Sequence, residues 1–80
     1  MWTYTVIVHE EEEEDGGGYW AEVQELPGCF ASGETLDELE KDVRGAIEEH
    51  ISALVELGKP VPEGRAESGD EHRWLIPVAS

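Results

Sequence analysis

Eighty residues and 8.9 kDa suit one small domain over residues 1–80. A chain this short buries only about 60–65% of its unfolded surface, so its core is thin and self-association would help it. Twenty acidic residues against five Lys and Arg leave a formal net charge of −15, which repels nucleic-acid phosphates and an anionic membrane, so neither contact is expected and a basic protein partner or simple solubility accounts better for the charge.

The first predicted element is a strand from Trp2 to Val8. Trp2, Tyr4, Val6 and Val8 alternate with Thr3, Thr5 and Ile7, the period-two pattern of a strand with one buried face. Six acids, Glu10 to Asp15, then precede Gly16-Gly17-Gly18. Mutual repulsion and glycine freedom make this a solvated turn. Tyr19 to Gln24 alternates again, with Tyr19, Ala21 and Val23 on one side and Trp20, Glu22 and Gln24 on the other. The two runs read as a β-hairpin. Leu26-Pro27-Gly28 is turn chemistry, and Cys29 to Ser32 forms a short third strand closed by Gly33.

A helix is predicted from Leu36 to Leu57. Thr35 at the N-cap with Glu38 three residues on makes a capping box, and Asp37, Glu38 and Glu40 suit the positive end of the helix dipole. Leu36, Leu39, Val43, Ala46, Ile47, His50, Ile51, Leu54 and Leu57 fall on one stripe. Asp37–Lys41 and Glu40–Arg44 stand at i,i+4 with the acid first. Gly58 is placed as the C′ residue, and Pro60 and Pro62 forbid continuation. Gly45 costs this helix about 1 kcal/mol relative to Ala; either another element approaches it or it is tolerated. Val61 to His72 is a polar loop, and Arg73 to Val78 returns to a strand in which Pro77 demands a sheet edge or an end.

The order β-β-β-α-β specifies an α+β fold: an antiparallel meander plus a later strand, with one long helix on the face bearing Tyr4, Val6, Tyr19, Ala21 and Val23. Thr3, Thr5, Ile7, Trp20 and Glu22 occupy the other face, for which no second helix remains. An uncovered face holding a Trp and an Ile is a candidate contact surface for another chain.

No local pattern carries catalysis. His9, His50 and His72 are dispersed, and none stands in a motif with Cys29 or a serine. His50 in the helix stripe reads as a core or interface histidine. Cys29, the one cysteine, cannot close an intrachain disulfide and has little positive charge nearby in sequence to activate it. The acidic run lacks the ligand spacing of an EF-hand loop, and one cysteine with scattered histidines disfavours zinc. Gly16-Gly17-Gly18 opens no helix and is not a phosphate loop. Neither a metal nor a cofactor is expected, and the sequence shows no enzyme. The N-terminus lacks the basic start and apolar stretch of a signal peptide, and no apolar run approaches about 20 residues, so a soluble cytoplasmic protein is expected.

Several motifs in order resemble the HicB-like antitoxins of bacterial and archaeal toxin–antitoxin pairs. They are Tyr4-Thr5-Val6-Ile7-Val8, Asp15-Gly16-Gly17-Gly18-Tyr19-Trp20-Ala21, Leu26-Pro27-Gly28-Cys29 and Gly33-Glu34-Thr35-Leu36-Asp37-Glu38. Ala46-Ile47-Glu48-Glu49-His50-Ile51 and Gly58-Lys59-Pro60-Val61-Pro62 complete the likeness, which spans residues 4 to 62. The family typically has a proline where this chain has Gln24 and an alanine where it has Leu39. The resemblance implies a trimmed ribonuclease-H-like domain without that fold's catalytic carboxylates. It also implies a partner: HicA, a small basic messenger-RNA-cleaving toxin built like a double-stranded-RNA-binding domain, whose active site the antitoxin blocks. Many members carry a C-terminal DNA-binding segment; with eight residues after His72, none is expected here.

An antitoxin-like domain that occludes such a toxin is therefore the leading expectation. Thr5, Ile7, Trp20, Glu22 and Glu25 are the candidate partner-facing residues, Trp20 as anchor and the two acids as charge complements. Trp20 covering a homodimer, or packing under the last strand, is the structural alternative. The competing function is a stand-alone HicB-like domain, a homodimer or higher homo-oligomer, with a regulatory binding role and no toxin. A ribonuclease-H-like enzyme would need clustered carboxylates on the sheet, whose segments carry only Glu22 and Glu25.

Overall fold

The computed structural model of the protein describes residues 2–12, 16–66, 68–70 and 72–78. Glu13 to Asp15 of the acidic run lie outside the described residues. Five elements follow in the expected order: β1 (Trp2–Glu10), β2 (Tyr19–Val23), β3 (Phe30–Gly33), α1 (Leu36–Glu56) and β4 (Arg73–Val78). One antiparallel sheet has the order β3-β2-β1-β4. The meander therefore holds β1 in the interior, and β4 pairs with its far side.

Three boundaries differ from expectation. β1 runs two residues further, into the acids, because Glu10 pairs with Tyr19 and the Glu11 N–H reaches the Gly18 carbonyl at 2.9 Å. β3 begins at Phe30 rather than Cys29 and takes in Gly33, which pairs with Tyr19. β2 ends at Val23: Gln24 still donates its N–H to the Thr5 carbonyl, but the Thr5 N–H goes to the Glu25 carboxylate instead of back to β2.

α1 begins as its cap predicts: the Thr35 hydroxyl accepts the Glu38 N–H at 3.1 Å. The Glu38 carboxylate, however, takes the Glu34 N–H at 3.0 Å, one residue before the cap itself. Glu40 and Arg44 form the expected ion pair at 3.1 Å, whereas Asp37 and Lys41 form none among the described residues. Leu57 caps the C-terminus and Gly58, at φ +69°, leaves the helix.

The core lies between α1 and one face of the sheet. Tyr4, Val6, Ala21, Leu39, Val43 and Ile47 are fully buried there, with Ile76 from β4 beside them. Leu36 and Leu57, expected in the buried stripe, are exposed. Their position explains it: a 21-residue helix runs about 32 Å, whereas the four- and five-residue strands β3 and β2 it packs against span about 13–17 Å, so both ends overhang. Leu26, assigned to the turn, is fully buried. Gly33 runs so close to α1 that an added Cβ would lie 2.5 Å from the Leu39 nitrogen. Gly45 has nothing within 4 Å of that position, so it is tolerated rather than required. No described helix is long and apolar enough to cross a membrane.

Both outer strands carry devices that limit further strand pairing. On β3, Asp42 of α1 accepts the Ser32 N–H at 3.0 Å. On β4, Arg73 exchanges two backbone hydrogen bonds with Asp70, and Pro77 has no N–H to offer.

Candidate partner-binding face

Strand register assembles the face that α1 leaves uncovered. Across β1 and β2 it sets Ile7 opposite Glu22 and His9 opposite Trp20; across β2 and β3 it sets Glu22 opposite Phe30. β4 adds Leu75 opposite Thr5 and Arg73 opposite Ile7. His9 stacks on Trp20 with ring centroids 4.1 Å apart and planes 15° apart. Phe30 leans toward the same indole at 6.4 Å and 45° and is 59% exposed. His9 Nε2 is buried without a hydrogen-bond partner, 3.9 Å from a Glu22 oxygen. The result is an aromatic row, His9–Trp20–Phe30, with Glu22 beside it.

At the margin, Glu25 does a structural task. β2 leaves β1 after the Gln24 N–H has bonded the Thr5 carbonyl, which would strand the Thr5 N–H in a buried position. The Glu25 carboxylate accepts that N–H at 2.8 Å and the Thr5 hydroxyl at 3.0 Å. One step further along β1, Thr3 bonds to the Gly64 carbonyl and the Ala66 N–H. A side chain and then a loop thus continue the ladder that β2 abandons. The charge on Glu25 has a second effect. Burial, and then that nearby carboxylate, push the Tyr4 phenol above its ordinary pKa, while its O–H donates to the Pro62 carbonyl at 2.8 Å.

A shallow hollow of about 270 Å³ continues the face toward the turn, between Ile7, Glu22, Leu26, Pro27, Cys29 and Phe30. Cys29 itself is buried, and burial pushes its thiol pKa up, away from the thiolate a nucleophile requires. Among the described residues, no group of three or more His, Cys, Asp or Glu gathers where a metal ion would sit.

Of the residues singled out in the sequence, Ile7, Trp20 and Glu22 come together on this face. Thr5 is buried and is bonded to Glu25 at its edge. His9, Phe30, Leu75 and Arg73 belong to the same surface and were not foreseen. Extending the alternation would have found them: Phe30 is out of phase with buried Cys29 and Ala31, and His9 continues the odd positions of β1.

A four-stranded antiparallel sheet covered by one helix, with an aromatic and acidic outer face, defines a small two-layer α+β domain. The chain belongs to the UPF0150-like family, whose model matches residues 8–62. It is similar to the N-terminal domain of the Burkholderia pseudomallei antitoxin HicB, with 26% identity, a TM-score of 0.73, and 98% of this chain and 99% of that one covered. Against the longer crystal structure of the same antitoxin the identity is 29% and the TM-score 0.77, covering 98% of this chain and 64% of that one. An uncharacterized 14.9 kDa protein from the rep–hol intergenic region of Haemophilus phage HP1 is 37% identical over 46 residues. That match covers 58% of this chain and 35% of the phage protein. The chain is a HicB-like antitoxin domain, and it spans less than two thirds of those two longer relatives.

Proposed function

We propose that this domain binds and occludes a small basic HicA-type messenger-RNA-cleaving toxin in the cytoplasm, by contact rather than by catalysis. The observation that carries the reading is the uncovered sheet face, where Ile7, Trp20 and Phe30 sit beside Glu22 in a chain of net charge −15. Apolar rings give a desolvated centre, and surrounding acids steer and orient a basic surface that would otherwise take RNA phosphates. Thr5 and Glu25 hold the margin of that surface. We place self-association, as a homodimer or higher oligomer, beside this role, since so small a core gains from it; sedimentation at micromolar concentration tests it.

The test of function is co-expression with a small basic HicA-type toxin, taken from any such reading frame found beside this gene. Growth rescue and co-elution as one complex are expected. A toxic neighbour that the domain neither neutralises nor retains would overturn the reading.

A further inference from the structure

The indole of Trp20 is stacked in parallel by His9 on one face and met only by the tilted Phe30 ring on the other. β2 lies between β1 and β3, and His9 on β1 stacks against the β1-facing side. The other side looks onto a notch of about 380 Å³ bounded by Trp20, Phe30, Ala31, Ser32 and Asp42. The walls are rings and aliphatic carbons. The one ionised group lining it is Asp42, whose Oδ2 takes the Ser32 N–H at 3.0 Å and whose Oδ1 has no partner among the described residues. Asp42 also borders a second hollow beyond Phe30, which Lys41 and Glu49 line with it.

We propose that this notch is an arginine socket: a guanidinium from the basic protein partner lies on the face of Trp20 turned from His9, with Phe30 as its second wall and Asp42 as its counter-charge. The inference rests on the antitoxin reading for its partner and names the chemistry by which that partner is held.

Shape, electrostatics and hydrogen bonding each favour this occupant. The rings, 6.4 Å apart, are too close to sandwich a planar group, which needs roughly 7 Å for two contacts of 3.5 Å. Their 45° tilt instead opens a V that admits a flat group from the outside. An aromatic face attracts a cation and repels an anion, and the chain's charge of −15 enforces the same preference. A guanidinium stacks on an indole and still presents in-plane N–H donors to a carboxylate, which an ammonium does not do with one geometry. Asp42 is anchored to β3 by its bond to the Ser32 N–H, which limits the rotation of its carboxylate at the notch.

The test uses the full chain and a short peptide, acetyl-Gly-Arg-Gly-amide, against its neutral isostere with citrulline, at physiological salt. Amide and indole N–H signals are followed by NMR, with Trp20→Phe assigning the indoles. The arginine peptide is expected to shift the Trp20 indole and the Ser32 amide saturably and to leave Trp2 and Trp74 in place. The citrulline peptide binds at least about fivefold more weakly, and Phe30→Ala weakens the arginine peptide about three- to tenfold. Phe30 is exposed, so this variant folds; Asp42→Asn, which keeps an acceptor for Ser32 while removing the charge, gives a second reading in the same direction. Equal binding of the two peptides, or shifts spread along α1 with Trp20 unmoved, would overturn the proposal. A domain that neutralises its toxin but ignores the arginine peptide loses the socket and keeps its function. One that takes the peptide and neutralises nothing keeps the socket and loses the function.

Discussion

Glu25 and Thr5 are joined three ways: the carboxylate accepts the Thr5 N–H through both oxygens, at 2.8 and 3.2 Å, and the Thr5 hydroxyl at 3.0 Å. Removing the carboxylate leaves a buried N–H without a partner, since Thr5 is only 8% exposed. Glu25→Ala is expected to lose about 1–3 kcal/mol of stability in urea unfolding. Glu22→Ala, on the open face nearby, should change stability by no more than about 0.5 kcal/mol. Equal effects would show that Glu25 contributes only its charge.

The two glycines that bracket the helix start and its middle should respond oppositely to alanine. Gly45→Ala enters open space and removes a helix penalty, so a gain of about 1 kcal/mol is expected, or roughly 4–8 °C in Tm. Gly33→Ala forces a Cβ to within 2.5 Å of the Leu39 backbone nitrogen, which must move with the first turn of α1. Thermal unfolding of the two variants beside the parent decides it, and a neutral Gly33→Ala would refute the close packing described.

Partner affinity should depend on the open face more strongly than folding does. Trp20→Ala combined with Glu22→Lys is expected to weaken binding of the toxin about 30-fold or more, the scale of a central aromatic anchor. The fold should lose only the contribution of the His9 and Phe30 ring contacts, about 0.5–1.5 kcal/mol each. Calorimetric titration with the co-purified toxin measures the first and urea unfolding the second. Unchanged affinity would remove this face from the interface.

Alkaline pH should destabilise the domain through two groups. The Tyr4 phenol and the Cys29 thiol both have raised pKa values when folded, the first by burial and then Glu25, the second by burial. Above the ordinary thiol and phenol ranges, about 8.5 and 10, the unfolded chain has released protons that the folded chain keeps. Stability therefore falls as pH rises through those values. Urea midpoints at pH 7, 9 and 10.5 should decline in that order, and Tyr4→Phe should flatten the last step. A midpoint constant to pH 10.5 contradicts the assignment.

The strand and helix order was legible because it rests on local periodicity: alternation marks β1, β2 and β4, and the Thr35 cap and Gly58 stop frame α1. Long-range substitution was not legible. A carboxylate standing in for a missing strand at Thr5, and a loop doing the same at Thr3, depend on where β2 turns away, which no spacing reports. Leu26 shows the same limit: beside Pro27 and Gly28 it reads as turn, yet its side chain enters the core. On the open face, Trp20 and Glu22 were readable from β2 alone, whereas Phe30 required the phase of a four-residue strand.

Tyr4 pairs with Ile76, so an interior strand waits during synthesis for a neighbour made about 70 residues later. At 5–20 residues per second that wait is on the order of 4–15 s. Until β4 emerges, one side of β1 is a bare edge of alternating apolar residues, open to proteases and to pairing with other chains. A ribosome stalled before Arg73 thus holds a chain fit for degradation. Only a chain translated through β4 pairs both sides of β1 and closes its sheet.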